Sequence, residues 1–194
     1  MNKREGIARP PGGWSWWLRW VLANSMAGSV IGFAGYYATM TIGGLPTLLL
    51  SVAATWAVVG AAQSIVLPKP IRRRAWILAD VVGGVAGTVL GMWLLIGWWA
   101  LITSVSESAG FAIGVVGLVA GAVIGVAQSR ALRDRIPNRW GWLVANAAAG
   151  GAGWIVGWGV TPVFGVFTGS AAGWAAGAAI TGLALRSLLR DSAD

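Results

Sequence analysis

The sequence predicts an all-α integral membrane protein, with six transmembrane helices forming three tandem, parallel helical-hairpin repeats in a pseudo-threefold bundle. Three observations lead there. Apolar residues make up 57% of the 194-residue chain and charged residues only 10%, against roughly 25% charged in a soluble domain. Apolar runs recur at the length needed to cross a bilayer. Basic residues fall in alternate segments between those runs.

About 20 consecutive apolar residues span the hydrocarbon core. Six stretches qualify: 20–40, 47–67, 76–100, 111–130, 140–160 and 166–185. Gly-Gly-Leu-Pro at 43–46 and Thr-Pro-Val-Phe-Gly at 161–165 predict tight turns, and Pro68 and Pro137 mark two further ends. The connections are too short for a soluble domain, so a single membrane domain over 1–194 is expected. The first span follows a basic tail but exceeds a signal-peptide core in length, and is expected to be retained.

All 14 basic residues lie in four regions. Lys3, Arg4, Arg9 and Arg19 precede the first span. Lys69, Arg72, Arg73 and Arg74 follow the second. Arg130, Arg133, Arg135 and Arg139 follow the fourth, and Arg186 and Arg190 follow the sixth. Six crossings put these regions on one side, leaving Glu107 as the only charge opposite. The positive-inside rule makes the basic side cytoplasmic, with both termini there. Arg, Ala, Gly and Trp are favoured and Lys is nearly absent, as GC-rich codons produce. The expected location is therefore a bacterial inner membrane.

The odd spans repeat one pattern: Trp20 to Asn24 to Gly28, Trp76 to Asp80 to Gly84, and Trp142 to Asn146 to Gly150. A further glycine follows eleven positions after the polar residue, at Gly35, Gly91 and Gly157. At 100° per residue these positions share one helix face. The even spans repeat another pattern, Gly60-Ala-Ala-Gln63-Ser64, Gly125-Val-Ala-Gln128-Ser129 and Gly177-Ala-Ala-Ile180-Thr181. Ladders of small residues run through Gly117, Gly121 and Gly125, and through Gly169, Gly173 and Gly177. Such faces let helix backbones approach closely. The repeats cover 14–67, 75–132 and 140–190. Mitochondrial carriers also contain three two-helix repeats, but their Pro-x-acidic-x-x-basic signature is absent here.

Candidate sites follow from these patterns. Asn24, Gln63, Asp80, Gln128 and Asn146 form an intramembrane polar cluster at one depth. They either line a solute site or hydrogen-bond the two helices of each hairpin to each other; the second is preferred, and Ile180 in place of glutamine leaves the ring incomplete. Asp80 is the only acid within a span, where a charge costs up to about 3 kcal/mol. Asn at the two equivalent positions favours a structural role. Gly28, Gly35, Gly84, Gly91, Gly121, Gly125, Gly150, Gly157, Gly173 and Gly177 are helix-packing candidates. Arg72, Arg73 and Arg74 are candidates for anionic lipid. Trp14, Trp16, Trp17, Trp20, Trp76, Trp140 and Trp142 predict an inner interfacial belt, and Trp93, Trp98, Trp99 and Trp158 an outer one. Trp56 and Trp174 lie nearer mid-span, where they could pack on a ligand.

There is no Cys and no His. That removes thiol chemistry, the commonest metal ligand and the usual general base. No paired intramembrane acids exist either, so no enzyme activity, metal or cofactor is expected. The positive charge is explained by topology, so no nucleic-acid partner is expected. The preferred function is a non-catalytic membrane scaffold or accessory subunit packing through its glycine faces. Its partners would be the bilayer, anionic lipid, and other subunits or a second copy. The alternative is a small channel or carrier for ions or solutes around Asp80.

Overall fold

A computed structural model describes residues 13–67, 71–102, 109–133, 136 and 138–190. Lys3, Arg4, Arg9, Pro68, Lys69, Glu107, Arg135 and Pro137, and the side chains of Trp98 and Trp99, lie outside the described residues. The described residues form five helices: α1 Gly13–Ile42, α2 Leu45–Val66, α3 Arg73–Ile102, α4 Ala109–Ala131 and α5 Arg139–Arg190.

The sequence predicts six helices, and the described residues form five. The expected spans at 140–160 and 166–185 both lie within the 52-residue α5. The Thr-Pro-Val-Phe-Gly segment is not a loop. It stays helical except at Gly165, whose φ of 85° and ψ of 167° interrupt the helix. A single glycine takes this left-handed backbone without a Cβ clash, and Pro162 just before it lacks the N–H that would tie that turn together. The two limbs of α5 fold back on each other. A Cβ on Gly153 would stand 2.8 Å from the Gly173 carbonyl oxygen, and one on Gly157 would stand 3.2 Å from that of Gly169.

The turn between α1 and α2 matches the expectation. Gly43 and Gly44 have φ of 76° and 82°, and Pro46 sits in the first turn of α2, where its missing N–H costs nothing. Ser and Thr hydroxyls inside the helices donate to carbonyls a turn back, as Thr39 does to Gly35 and Thr55 to Ser51, both at 2.8 Å. In an apolar medium that satisfies a polar group without a partner helix.

Four helices, α2 to α5, contain a stretch long and apolar enough to cross a membrane. The fifth, α1, has the length at 30 residues. Asn24, Ser25, Ser29, Tyr36 and Tyr37 dilute its apolar character, so it does not meet the expectation of a sixth apolar span. Large apolar side chains cover the outside, including Leu50, Ile65, Trp93 and Ile96. A surface of this kind suits lipid rather than water.

The helices close into a ring: α1 packs on α2, α2 on α3, α3 on α4, α4 on α5, and α5 back on α1. α4 sits deepest, with 56% of its apolar stretch buried against 11% of that in α2. One apolar cluster joins Trp16 and Trp20 of α1, Leu67 after α2, Ile71 and Trp76 at α3, Leu132 and Ile136 after α4, and Trp142, Leu185 and Leu188 of α5. Both ends of α5 therefore reach the same end of the bundle. That end also carries every basic residue described.

Candidate functional site

Trp20, Trp76 and Trp142 meet inside that end of the bundle, each no more than 1% exposed. Trp20 and Trp76 lie 6.3 Å apart between ring centroids, and Trp76 and Trp142 lie 6.1 Å apart. Trp16 stacks on Trp20 at 5.8 Å. Four members of the expected inner belt, Trp16, Trp20, Trp76 and Trp142, are therefore core residues. The reason is positional. Trp20, Trp76 and Trp142 precede Asn24, Asp80 and Asn146 by one turn, on the face each helix turns inward. Trp14, Trp93, Trp140 and Trp158 remain exposed at the surface, where a belt residue belongs.

One turn deeper lies a polar layer. Asn24, Gln63, Asp80, Gln128 and Asn146 are all buried. The Gln63 amide joins three helices. Its Nε2 donates to Asn24 Oδ1 at 2.6 Å, and its Oε1 accepts from Trp76 Nε1 at 2.7 Å. On the next pair of helices, Gln128 Nε2 donates to Asp80 Oδ1. Asn24 Nδ2 donates to its own Trp20 carbonyl at 2.8 Å, and Asn146 Nδ2 donates to the Trp142 carbonyl at 3.0 Å.

In the last helical limb, Ile180 stands where glutamine is found earlier. The neighbouring Thr181 takes up the connection, accepting from Trp20 Nε1 at 3.2 Å. The even-span pattern includes Thr181 but assigns it no role. Its signal was its register with Ser64 and Ser129, one residue beyond each glutamine. Thr88 was missed as well, and it accepts from Trp56 Nε1 at 3.3 Å.

Below the polar layer, Trp56 and Trp174 meet edge to face with centroids 5.2 Å apart. Trp56 lies over Gly84 and Trp174 over Gly28. These mid-span indoles, both half-buried, pack on each other and on glycine.

All ten packing glycines have a neighbour within 3.2 Å of the place a Cβ would occupy. Gly121 faces the Asn146 carbonyl and Gly150 faces that of Gly117. A Cβ on Gly35 would stand 2.9 Å from Ser51, and one on Gly91 would stand 2.9 Å from Val116. On Gly125 it would stand 3.0 Å from Asn146, on Gly173 2.6 Å from the Gly153 carbonyl, and on Gly177 3.1 Å from that of Ala149.

Arg72, Arg73 and Arg74 are exposed where α3 begins. Arg186 is half-buried, with its guanidinium 5.5 Å above the Trp14 ring, within range of a cation–π contact. No group of three metal-ligating side chains occurs among the described residues.

No family model, curated protein or solved structure matches this chain.

Proposed function

We propose that the chain is a non-catalytic membrane scaffold or accessory subunit of a bacterial inner membrane. In this reading it crosses the bilayer six times as three hairpins of one orientation, with α5 crossing twice and both termini cytoplasmic. The observation that carries the reading is the filled core. Trp20, Trp76 and Trp142 occupy the middle of the basic end, and the polar side chains beneath them are spent largely on one another. A solute path would need polar groups free to exchange partners with a passing ion. The glycine faces are used for the chain's own packing, so partner subunits or a second copy would meet the apolar outer faces.

Native mass analysis after mild detergent extraction tests this. Co-migrating membrane subunits, or a defined homo-oligomer, are expected. A chain that travels alone and conducts ions in liposomes overturns the reading. Reporter fusions at the two termini test the topology, and an external signal from either end overturns it.

A second reading, a small ion channel or carrier, draws on one observation: Asp80 Oδ2 and Gln128 Oε1 are buried without partners. Flux through the wild type that is lost in Asp80→Asn at unchanged stability would replace the scaffold reading with this one.

A further inference from the structure

Both partners of one buried hydrogen bond keep an unpaired polar atom. Gln128 Nε2 donates to Asp80 Oδ1, while Asp80 Oδ2, Gln128 Oε1 and Trp142 Nε1 have no partner. An unpaired polar atom in the interior is costly, and an unpaired charge more so. Asp80 is 0% exposed and is the only ionisable side chain among the described buried polar residues.

Among the described residues no counter-charge faces it. α2 presents Gly60, where a Cβ would stand 2.6 Å from Oδ2. α4 presents Gln128, and α5 brings Trp142 against Trp76, one turn before Asp80 on its own helix. None of these groups carries charge.

The equivalent positions show what the site needs. At Asn24 the Oδ1 atom accepts from Gln63, as Asp80 Oδ1 accepts from Gln128. The second terminal atom of Asn24 is a donor, Nδ2, and so is that of Asn146. At Asp80 that atom is an oxygen, which donates only when it carries hydrogen. The amide and the carboxyl each have two terminal atoms. With Nε2 bonded to Oδ1, the remaining pair, Oε1 and Oδ2, are both acceptors. A hydrogen on Oδ2 makes it a donor, as Nδ2 is at Asn24 and Asn146.

We propose that Asp80 and Gln128 form a proton-binding site. Asp80 stands in the bundle as a neutral carboxylic acid, with the hydrogen on Oδ2 and Gln128 Nε2 donating to Oδ1. The proton comes from water as the helix enters the membrane: the carboxylate takes one proton, and no charge remains buried. The site holds its proton structurally and is independent of whether the chain transports anything.

Infrared difference spectroscopy on the purified chain in detergent at neutral pH reads the protonation state directly. Wild type minus Asp80→Asn should show the C=O stretch of a neutral carboxylic acid, shifted down in D₂O. Carboxyl-¹³C aspartate labelling of the wild type should move the same band, which needs no variant to fold. Gln128→Leu should shift the band up, because its hydrogen bond is lost. Asp80→Asn preserves the donor and acceptor pattern of the acid, so its thermal midpoint should equal that of the wild type. A carboxylate band lost in Asp80→Asn, with no label-sensitive neutral band, overturns the proposal. So does a lowered midpoint in Asp80→Asn, since that would mean the charge itself is needed.

Discussion

Two seams of the bundle use glycine differently. Where α4 meets the first limb of α5, backbone lies on backbone: Gly117 and Gly150 face each other's carbonyls, and Gly121 faces the carbonyl of Asn146. Where α2 crosses to α3, and α5 to α1, glycine instead makes room for an indole. Gly84 lies beneath Trp56 and Gly28 beneath Trp174. In the first case the neighbour is main chain and cannot move without moving its helix. In the second it is a side chain with rotamers of its own. Lipid tails supply no hydrophobic drive between helices, so close packing and hydrogen bonds carry association. The first seam sets the distance between two helices. The second is a socket whose plug can be changed.

The largest effect should come from filling the backbone seam. Gly121→Leu forces α4 off α5 at the Asn146 carbonyl, beside the polar layer. Ordinary overpacking costs roughly 1–3 kcal/mol, and an obstacle made of main chain should raise the loss above that range. Thermal melting in detergent is expected to show a destabilised or unfolded bundle, and no side-chain change on α5 should restore it. Wild-type stability would mean the seam is looser than backbone contact.

The indole seam should behave differently. Gly84→Ala places a methyl group into the Trp56 ring, with a cost of about 1–3 kcal/mol from overpacking. Trp56→Leu in the same chain removes the obstacle and should recover part of that loss. A double-mutant cycle measures the recovery as a coupling between the two sites. Zero coupling would erase the distinction between the seams.

Much of this was legible in the sequence because it is periodic. Glycines recurring four and eleven positions after Asn24, Asp80 and Asn146 identify one face on each odd span, and that face is the one each helix turns to a neighbour. Gln63 and Gln128 were readable as bridging amides for the same reason. What the sequence could not supply was the identity of the neighbour. The same spacing puts Gly150 against main chain and Gly84 against an indole. Position along the spans misjudged the tryptophans. Trp20, Trp76 and Trp142 sit near span ends, which suggests an interface, yet the stripe they share with the polar residues points them inward. Nor could it show that Gly165 alone would interrupt α5, because one left-handed residue replaces a loop that composition leads one to expect.

The smallest effect should come from a glycine that lies near the packing face without taking part in either seam. Gly32 falls between Gly28 and Gly35 on α1, but it is not one of the recurring positions. A Cβ there would meet only the Ser170 hydroxyl oxygen, at 3.9 Å, an ordinary van der Waals contact. Gly32→Ala therefore adds no clash. It also removes backbone freedom that glycine loses on folding, worth roughly 0.5–1 kcal/mol within a helix. Part of that gain is muted in a membrane, where the unassembled helix is already formed by its own hydrogen bonds. The expected outcome is a midpoint equal to the wild type or slightly above it. Gly28→Ala and Gly35→Ala, on either side, should both lower it, because Trp174 and Ser51 occupy the space the methyl needs. A loss at Gly32 as large as at Gly28 would mean α1 and α5 lie closer than their side chains require. The socket would then be a second backbone seam.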